Sequence, residues 1–253
     1  MQRKNTIMDK FRKKIHPFML KMMPGRRNFE IEILNPIPPV KGNKIFVMNH
    51  SSIHDAPVAC EVIKEHFYIL VGKQALKILD RLSFWLNGVV YIDRKNSQDK
   101  KRGFNKMLKI LNAGSNLLIY SEGTWNITPS KPMLPLNWGV IDLAKKAGVP
   151  IIPLIAEYYH DCCYVKFGEP IYIEDKADKK REIEQLEDTM ATLKWDIWER
   201  FPVLQRQEHM KEEFESIINE RIAESPTLDS EYERTVIRGW ENDPEYVLGK
   251  CNI

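Results

Sequence analysis

Short apolar runs alternate with longer stretches of helical periodicity along the middle of the chain. Short segments of five to seven residues that are mostly apolar and bounded by glycine, proline or polar residues are typical of buried strands. They occur at 44–48, 67–71, 88–92, 116–120 and 150–156. Apolar residues recurring at helical spacing predict helices over 55–65, 73–86, 97–113 and 138–147. This alternation predicts an α/β fold with a mostly parallel central sheet flanked by helices.

The two ends of the chain differ from this middle part. Residues 5–23 place apolar side chains at helical spacing among lysines and arginines, and Pro17 is expected to break this helix into two short pieces. Towards the other end the sequence becomes charged and helical. We therefore divide the chain into a basic amphipathic membrane-docking segment (1–27), an α/β domain (28–175) and a charged helical C-terminal extension (176–253).

Charge is distributed unevenly. The net charge is +3, but residues 1–27 hold nine basic residues and one acid, so this end carries +8 and the remainder −5. A basic amphipathic helix is suited to the headgroup region of an anionic membrane. A helix packed on the domain's own core, with a solvated basic face, would show the same pattern. No basic motif interleaved with aromatic residues is present, so we expect no nucleic-acid partner.

Composition narrows the class of protein. Apolar residues make up 43% and charged residues 29%, as in an ordinary globular protein. The four cysteines form no Cys-x-x-Cys pair and no metal-binding spacing, which indicates a reducing compartment. No apolar run approaches the roughly 18 residues of a spanning helix. We expect a cytoplasmic protein, peripheral on the inner face of the membrane, with no transmembrane segment.

The run at 44–48 leads directly to His50, and Asp55 follows at the expected N-cap of the next helix. At a strand–turn–helix junction the carboxylate can fold back onto the imidazole, fix its tautomer and leave the other ring nitrogen free to take a proton. Such a pair suits a reaction in which the substrate supplies the attacking hydroxyl. A turn histidine beside a capping aspartate would show the same spacing, and His54 is a rival base in the same loop.

Two further strand ends carry polar clusters. Arg94 follows the run at 88–92, and Glu122, Gly123 and Thr124 follow the run at 116–120. The carboxyl ends of parallel strands meet at one edge, so these clusters are expected to face one cleft with His50. Arginine is suited to bidentate binding of a phosphate. A surface ion pair and an ordinary turn are the plainer interpretations of the same residues.

Four blocks in this order resemble the signature of the glycerolipid (lysophospholipid, PlsC-like) acyltransferase family. They are a His-x4-Asp at 50–55, a Gly-x-x-x-Ile-Asp-Arg at 88–94, an altered Pro-Glu-Gly-Thr-Arg at 121–125 and a Val-Pro-Ile-x-Pro at 149–153. Ser121 replaces the usual proline. Trp125 replaces the usual arginine, which the family is thought to use around the acceptor's phosphate, so the identity of the acceptor stays open.

The resemblance implies an O-acyltransferase. It would move a fatty acyl group from acyl-CoA or acyl carrier protein to the free hydroxyl of a lysophospholipid, most simply 1-acylglycerol-3-phosphate to phosphatidic acid. His50 would act as general base, oriented by Asp55. The substrate-binding residues that the resemblance implies are Arg94, Glu122, Gly123 and Thr124. No metal is implied, and no cofactor beyond the thioester co-substrate. The alternatives are a different lipid acceptor, a non-catalytic lipid-binding relative, and a hydrolase that uses water.

Overall fold

The computed structural model describes residues 7–22, 29–72, 78–93, 96–126, 131–159 and 162–201. In chain order the elements are α1 (Ile7–Met22), β1 (Glu30–Ile33), β2 (Ile45–Met48), α2 (Asp55–Ile63), β3 (Phe67–Gly72), α3 (Ile78–Asn87), β4 (Val89–Ile92), α4 (Ser97–Asn112), β5 (Asn116–Ile119), α5 (Gly139–Ala147), β6 (Ile151–Tyr158), β7 (Cys162–Phe167) and α6 (Lys179–Arg200).

The strands form one seven-stranded sheet in the order β1-β7-β6-β2-β5-β3-β4. All neighbouring strands run parallel except β6 and β7, which are antiparallel. At the centre of the sheet, Ile45 of β2 lies opposite Leu117 of β5 on one side and Ile151 of β6 on the other. The predicted fold class, a mostly parallel sheet flanked by helices, is confirmed.

The sheet is covered on both faces, which explains the uninterrupted apolar runs in the sequence. Successive side chains of a strand point to opposite faces. Ile45 and Val47 therefore enter a core shared with α4, α5 and α6, whereas Phe46 and Met48 enter a second core shared with α2. A strand buried on both sides has no polar face, so β2 is apolar at every position.

The helix predicted to break at Pro17 runs unbroken from Ile7 to Met22, so that prediction was wrong. Proline inside a helix removes one backbone hydrogen bond and costs about 3 kcal/mol. Contacts with the α/β body oppose this cost, because Tyr68 donates a hydrogen bond to Asp9 and Lys13 Nζ donates one to the Gly114 carbonyl at 3.1 Å. Tertiary contacts thus hold the helix where local propensity disfavours it.

Helix α6 shares the core of the α/β domain. It packs on β6 and β7. The residues that it buries recur at helical spacing along one face and are Ile183, Leu186, Met190, Lys194 and Ile197. The predicted domain division at residue 175 stays a prediction, and residues 202–253 lie outside the described part of the chain. Within the described part, no helix combines the length and the apolar character needed to cross a membrane.

Candidate active site

The candidate site lies where three adjacent strands of the sheet end. β6, β2 and β5 are neighbours and run parallel, so their carboxyl ends meet at one edge. The turn after β2 carries His50, the loop 120–126 follows β5, and Tyr158 is the last residue of β6. This placement follows the general rule that functional groups of parallel sheets gather at the carboxyl ends of strands.

His50 and Asp55 are in direct contact. The Nδ1 atom of His50 lies 2.7 Å from Oδ2 of Asp55, whose carboxyl group is fully buried. A carboxylate accepts at this position, so Nδ1 carries the ring proton and Nε2 is the nitrogen left to take a proton from a substrate. The His50 side chain is 22% exposed, which leaves it reachable from solvent.

The Asp55 carboxylate is held by further donors. Oδ2 also accepts from the backbone amides of Ser51 at 2.8 Å and Ser52 at 3.0 Å, and Oδ1 accepts from the Tyr158 hydroxyl at 2.7 Å. With these bonds the carboxylate is fixed in the orientation that faces the imidazole.

Asp55 does not cap its helix, so that part of the prediction was wrong. His54 occupies the N-cap position, its side chain makes no capping hydrogen bond, and Asp55 is the first residue of α2. The carboxylate turns back onto the preceding loop instead of binding the amides of the helix, because the loop amides and His50 occupy it.

The loop after β5 is bound to the backbone of His50 on both sides. The His50 amide donates to Oε1 of Glu122 at 2.9 Å, and the His50 carbonyl accepts from the Asn126 amide at 2.6 Å. The second carboxylate oxygen of Glu122 accepts from the Leu134 amide at 2.8 Å. Both backbone polar groups of His50 are thus tied to the segment that sequence analysis singled out.

Glu122 lies behind His50 and not in the cleft. It is 1% exposed. Burial raises its pKa to about 7, against the opposing effect of the Leu134 amide and the positive charge of Lys194. Its two oxygens bind backbone amides, so the geometry gives Glu122 the task of holding the loop; direct contact with an acceptor stays a prediction.

Two aromatic rings stack on the His50 imidazole. The ring of Tyr120 lies with its centroid 4.3 Å from that of the imidazole at an interplanar angle of 18°. The ring of Trp125 lies at 4.3 Å and 30°. Two rings stacked at this distance would overlap if they shared one face of the imidazole, so they lie on opposite faces. Burial raises the pKa of the Tyr120 hydroxyl well above its usual range, which keeps it neutral.

The remaining residues predicted for the site differ in their surroundings and in whether the structure describes them. Gly123 has φ +69°, and a Cβ there would lie 2.6 Å from Nδ2 of Asn137, so glycine is required by the turn and its packing. Thr124 is buried, with an Oγ1 that has no hydrogen-bond partner within the described residues. Arg94 lies outside the described residues. The rival base His54 points its ring at the edge of Phe29, with centroids 5.2 Å apart.

Sequence reasoning missed Tyr158, Tyr120 and Asn126. Tyr158 is separated from Asp55 by 103 positions in the chain, and only the pairing of β6 with β2 brings their ends together. Tyr120 and Asn126 flank a block that was recognised. The signal available for them was their place directly beside that block, at the end of a buried strand.

Comparison with known proteins gives consistent matches. The family model described as Acyltransferase matches residues 28–157. The 1-acyl-sn-glycerol-3-phosphate acyltransferase alpha of Ovis aries is 32% identical over 119 residues, which cover 46% of this chain and 41% of that protein. The 1-acyl-sn-glycerol-3-phosphate acyltransferase of Haemophilus influenzae is 25% identical over 120 residues, covering 46% and 49%. The chain thus spans less than half the length of these curated relatives.

One solved structure has a similar fold. The crystal structure of the 1-acyl-sn-glycerophosphate acyltransferase PlsC from Thermotoga maritima superposes with a TM-score of 0.57 at 17% identity. The superposition covers 78% of this chain and 79% of that one. It therefore extends beyond the residues that the family model matches and supports the architecture described above.

Proposed function

Because the chain belongs to the Acyltransferase family, we propose that it moves a fatty acyl group from an acyl thioester to the free hydroxyl of a lysophospholipid. The simplest acceptor is 1-acylglycerol-3-phosphate, the substrate that the relatives' names carry, with phosphatidic acid as product. The observation that carries the proposal is the 2.7 Å contact between His50 Nδ1 and the buried Asp55 carboxylate. This pair is a general base without a nucleophile of its own.

In the proposed reaction, Nε2 of His50 takes the proton of the acceptor hydroxyl as that oxygen attacks the thioester carbon. The new ester C–O bond forms, the C–S bond breaks, and the departing thiolate receives the proton from the imidazolium. Asp55 stabilises the positively charged ring between these two proton transfers. General-base assistance of this kind contributes roughly 100- to 10,000-fold in rate.

The proposed reaction requires no metal and no resident cofactor, since the thioester is consumed as a co-substrate. The donor is acyl-CoA or an acyl carrier protein. Arg94, Gly123 and Thr124 are the proposed contacts of the acceptor's glycerol-phosphate part. The unpartnered buried hydroxyl of Thr124 supports its inclusion, because such a group is usually satisfied by a ligand or water.

One observation favours a second candidate acceptor. Trp125 occupies the position at which the family signature has arginine, and its ring covers the imidazole. An aromatic ring supplies no charge for a phosphate monoester. A lysophospholipid with a different headgroup, or another lipid alcohol or amine, is therefore the alternative within the same reaction class.

The decisive experiment is an acyl-transfer assay with acyl-CoA and acyl carrier protein as donors and a panel of lyso-lipids as acceptors. We expect His50→Ala to lower kcat at least 100-fold. His54→Ala is the matched control and is expected to retain activity. Transfer that survives in His50→Ala would refute the base assignment. Thioester hydrolysis without any acceptor would point to a hydrolase, and lipid binding without either reaction would point to a lipid-binding protein.

We further propose that α1 docks the protein on an anionic membrane. Its packing is opposite to that of an ordinary surface helix, because a polar stripe faces the protein: Asp9 and His16 are buried, and Arg12 donates to the Tyr68 hydroxyl at 3.1 Å. The apolar residues Met8 and Phe11 are exposed instead. For Met8 and Phe11, this argues against the alternative that α1 buries its apolar side chains in the domain's own core.

The exposed apolar residues continue onto the neighbouring helix. α3 packs beside α1, and its Leu82 and Trp85 are each more than half exposed. Lys10 and Lys14 are exposed on α1 among these residues. Aromatic and aliphatic side chains beside basic ones match the chemistry of the boundary between headgroups and acyl chains.

A vesicle-binding assay tests this proposal. Phe11→Glu is expected to weaken binding to vesicles containing phosphatidylglycerol at least several-fold, because the charge opposes insertion. Tyr172→Glu is the matched control, since Tyr172 is exposed, lies outside α1 and α3, and follows Ile171, which pairs with the first residue of β6. Turnover of detergent-dispersed substrate should change little in either variant. Unchanged vesicle binding in Phe11→Glu would contradict the docking role.

A further inference from the structure

The stacking of two rings on the His50 imidazole is a feature that acyl transfer by a His–Asp pair does not itself require. Tyr120 covers one face and Trp125 the other, each with its centroid 4.3 Å away. The edge of the imidazole is what remains accessible. Since Nδ1 is bound to Asp55, the rings and the carboxylate together determine the direction in which Nε2 points.

The backbone dictates that residue 125 lies over the ring. The Asn126 amide donates to the His50 carbonyl at 2.6 Å, and the His50 amide donates to Glu122 at 2.9 Å. These two bonds clamp the segment that contains Trp125 against His50 from both sides. The backbone of residue 125 is therefore held beside His50, from where the Trp125 ring reaches the imidazole.

An indole ring has a different effect on the base from an arginine. The electron-rich face of tryptophan attracts a cation that lies within about 6 Å of its centroid. The neutral imidazole gains little from this attraction, but the imidazolium formed during proton transfer gains it fully. An interaction that strengthens as the transition state is approached increases kcat. A guanidinium at the same position would place a like charge beside the imidazolium.

Building on the proposed acyl transfer, we propose that Trp125 is a positioning residue for the base: with Tyr120 it fixes the plane of the His50 imidazole and stabilises its protonated form. The acceptor's phosphate is bound elsewhere. With tryptophan in place of the family arginine, residue 125 thus orients and stabilises the base. Recognition of the headgroup is left to other residues.

Steady-state kinetics with an acyl-CoA and 1-acylglycerol-3-phosphate in detergent micelles test this role. Trp125→Leu is expected to lower kcat about 5- to 30-fold, as a lost cation–π contact allows, while the acceptor KM stays within about twofold. Trp125→Phe keeps an aromatic face and should restore kcat to within about threefold. Trp125→Arg should be no more active than Trp125→Leu. Trp195→Phe, on the exposed side of α6, is the matched control.

Two kinetic results would overturn the proposal. A raised acceptor KM with unchanged kcat in Trp125→Leu would make residue 125 a contact of the acceptor. A Trp125→Arg variant more active than the native protein would show that a positive charge is preferred beside the base. A native protein that fails to acylate any acceptor would refute the proposed function, and the stack is then tested by a measurement that needs no turnover.

That measurement is tryptophan fluorescence as a function of pH. A protonated imidazole quenches the emission of an indole on which it is stacked, so emission of the native protein should fall in one step as the pH is lowered and the ring takes up a proton. The step should disappear in both Trp125→Phe and His50→Asn and persist in Trp195→Phe. A step that survives in His50→Asn, or none in the native protein, would overturn the proposed stack.

Other titratable groups lie close to the imidazole, and their effect on the fluorescence must be distinguished from that of His50. Asp55 of α2 binds it directly, Glu122 binds its backbone amide, Tyr120 stacks on it, and Tyr158 of β6 reaches Asp55. Among them, burial raises the pKa of Glu122 to about 7, so a step from Glu122 must be told apart from one due to the imidazole. His50→Asn retains Glu122, so the comparison of native protein with that variant assigns the step.

Discussion

Asp55 shows what a single side chain requires in order to orient a base. It accepts four hydrogen bonds, from the His50 ring, two loop amides and the Tyr158 hydroxyl. Each removes a direction in which the carboxylate can rotate. In the proposed reaction, the positive charge on His50 would therefore meet an anion that is already in place. Preorganisation of this kind lowers a barrier because no rearrangement is needed during the reaction.

The Tyr158 hydroxyl makes a specific contribution to this arrangement. Tyr158→Phe removes the bond to Oδ1 of Asp55, which is worth about 1.5 to 3 kcal/mol when the acceptor is charged. We expect kcat to fall roughly 3- to 30-fold with little change in either KM, because part of this bond energy serves to hold the carboxylate in place. A change in KM alone, measured in the same acyl-transfer assay, would contradict a role through Asp55.

Glu122 links the stability of the fold to pH. Burial raises its folded-state pKa from 4.5 to about 7, so between these values the folded protein binds a proton more tightly than the unfolded chain does. The resulting stabilisation is fully present below pH 4.5 and is lost as pH rises through 7, a change of about 3 kcal/mol.

Urea unfolding between pH 5 and pH 8 tests this effect with Glu122→Gln as the comparison. The amide group of glutamine faces backbone donors, so the variant should have a lower free energy of unfolding at every pH. The difference between the two proteins should shrink as the pH rises, because only the native protein loses stability with pH. A difference between the two proteins that does not vary with pH would show that the pKa of Glu122 is not raised.

At the scale of elements, α1 and the body of the domain meet through two histidines. His16 of α1 and His66 before β3 are buried with their rings 5.5 Å apart, edge to face. Burial lowers the pKa of both. That of His66 falls to about 4, and the charges of Lys13 and Arg12 act on it in the same direction. The contact is therefore stable only while these rings are neutral.

This contact predicts that acid loosens α1. The pKa of His66 is about 4 in the folded protein and 6.5 in the unfolded chain, so the unfolded chain binds this proton more tightly. The stabilisation present above pH 6.5 is therefore lost as the pH falls towards 4. Hydrogen–deuterium exchange, corrected for the intrinsic effect of pH, should show α1 losing protection between pH 7 and pH 5. α4 is the control, because it has the same 16-residue length and contains no histidine. Equal losses in the two helices would contradict the prediction.

At the scale of the whole molecule, the sequence was sufficient to predict those features that depend on neighbouring residues along the chain. The strands were predicted because a two-sided core makes β2 apolar throughout and β5 and β6 mostly apolar. His50 and Asp55 were paired by their spacing at a strand end. The direction of the Asp55 carboxylate, the burial of Glu122 and the approach of Tyr158 depend on contacts between distant segments. Local patterns carry no information about contacts between distant segments. They also carry none about the tertiary contacts that keep α1 helical at Pro17.

Helix α6 raises the question of where the folding unit ends. The family model stops at residue 157, yet α6 buries four apolar side chains against the sheet: Ile183, Leu186, Met190 and Ile197. Burial of an aliphatic side chain of this size contributes roughly 2 to 5 kcal/mol, so the four together are worth of the order of 10 kcal/mol. That equals the whole stability of an ordinary domain.

Lys194 adds an electrostatic reason for α6 to belong to the catalytic domain. Its ammonium group is buried 3.2 Å from Glu157 of β6, and its charge also acts on Glu122. Without α6, Glu157 would lose both this partner and the hydrogen bond that the indole of Trp198 donates to it at 2.8 Å. The helix thus lies behind the loop that holds His50.

We therefore expect a chain ending at residue 175 not to fold, whereas a chain ending at residue 201 keeps every contact described for α6 and should fold cooperatively. Circular dichroism and urea unfolding of the two truncated proteins measure this directly. Lys194→Met in the full chain should destabilise by about 3 to 5 kcal/mol, since it removes one partner of the buried ion pair between Lys194 and Glu157. A cooperatively folded protein ending at 175 would instead establish the domain division predicted from composition, with α6 as an accessory to a self-sufficient catalytic domain.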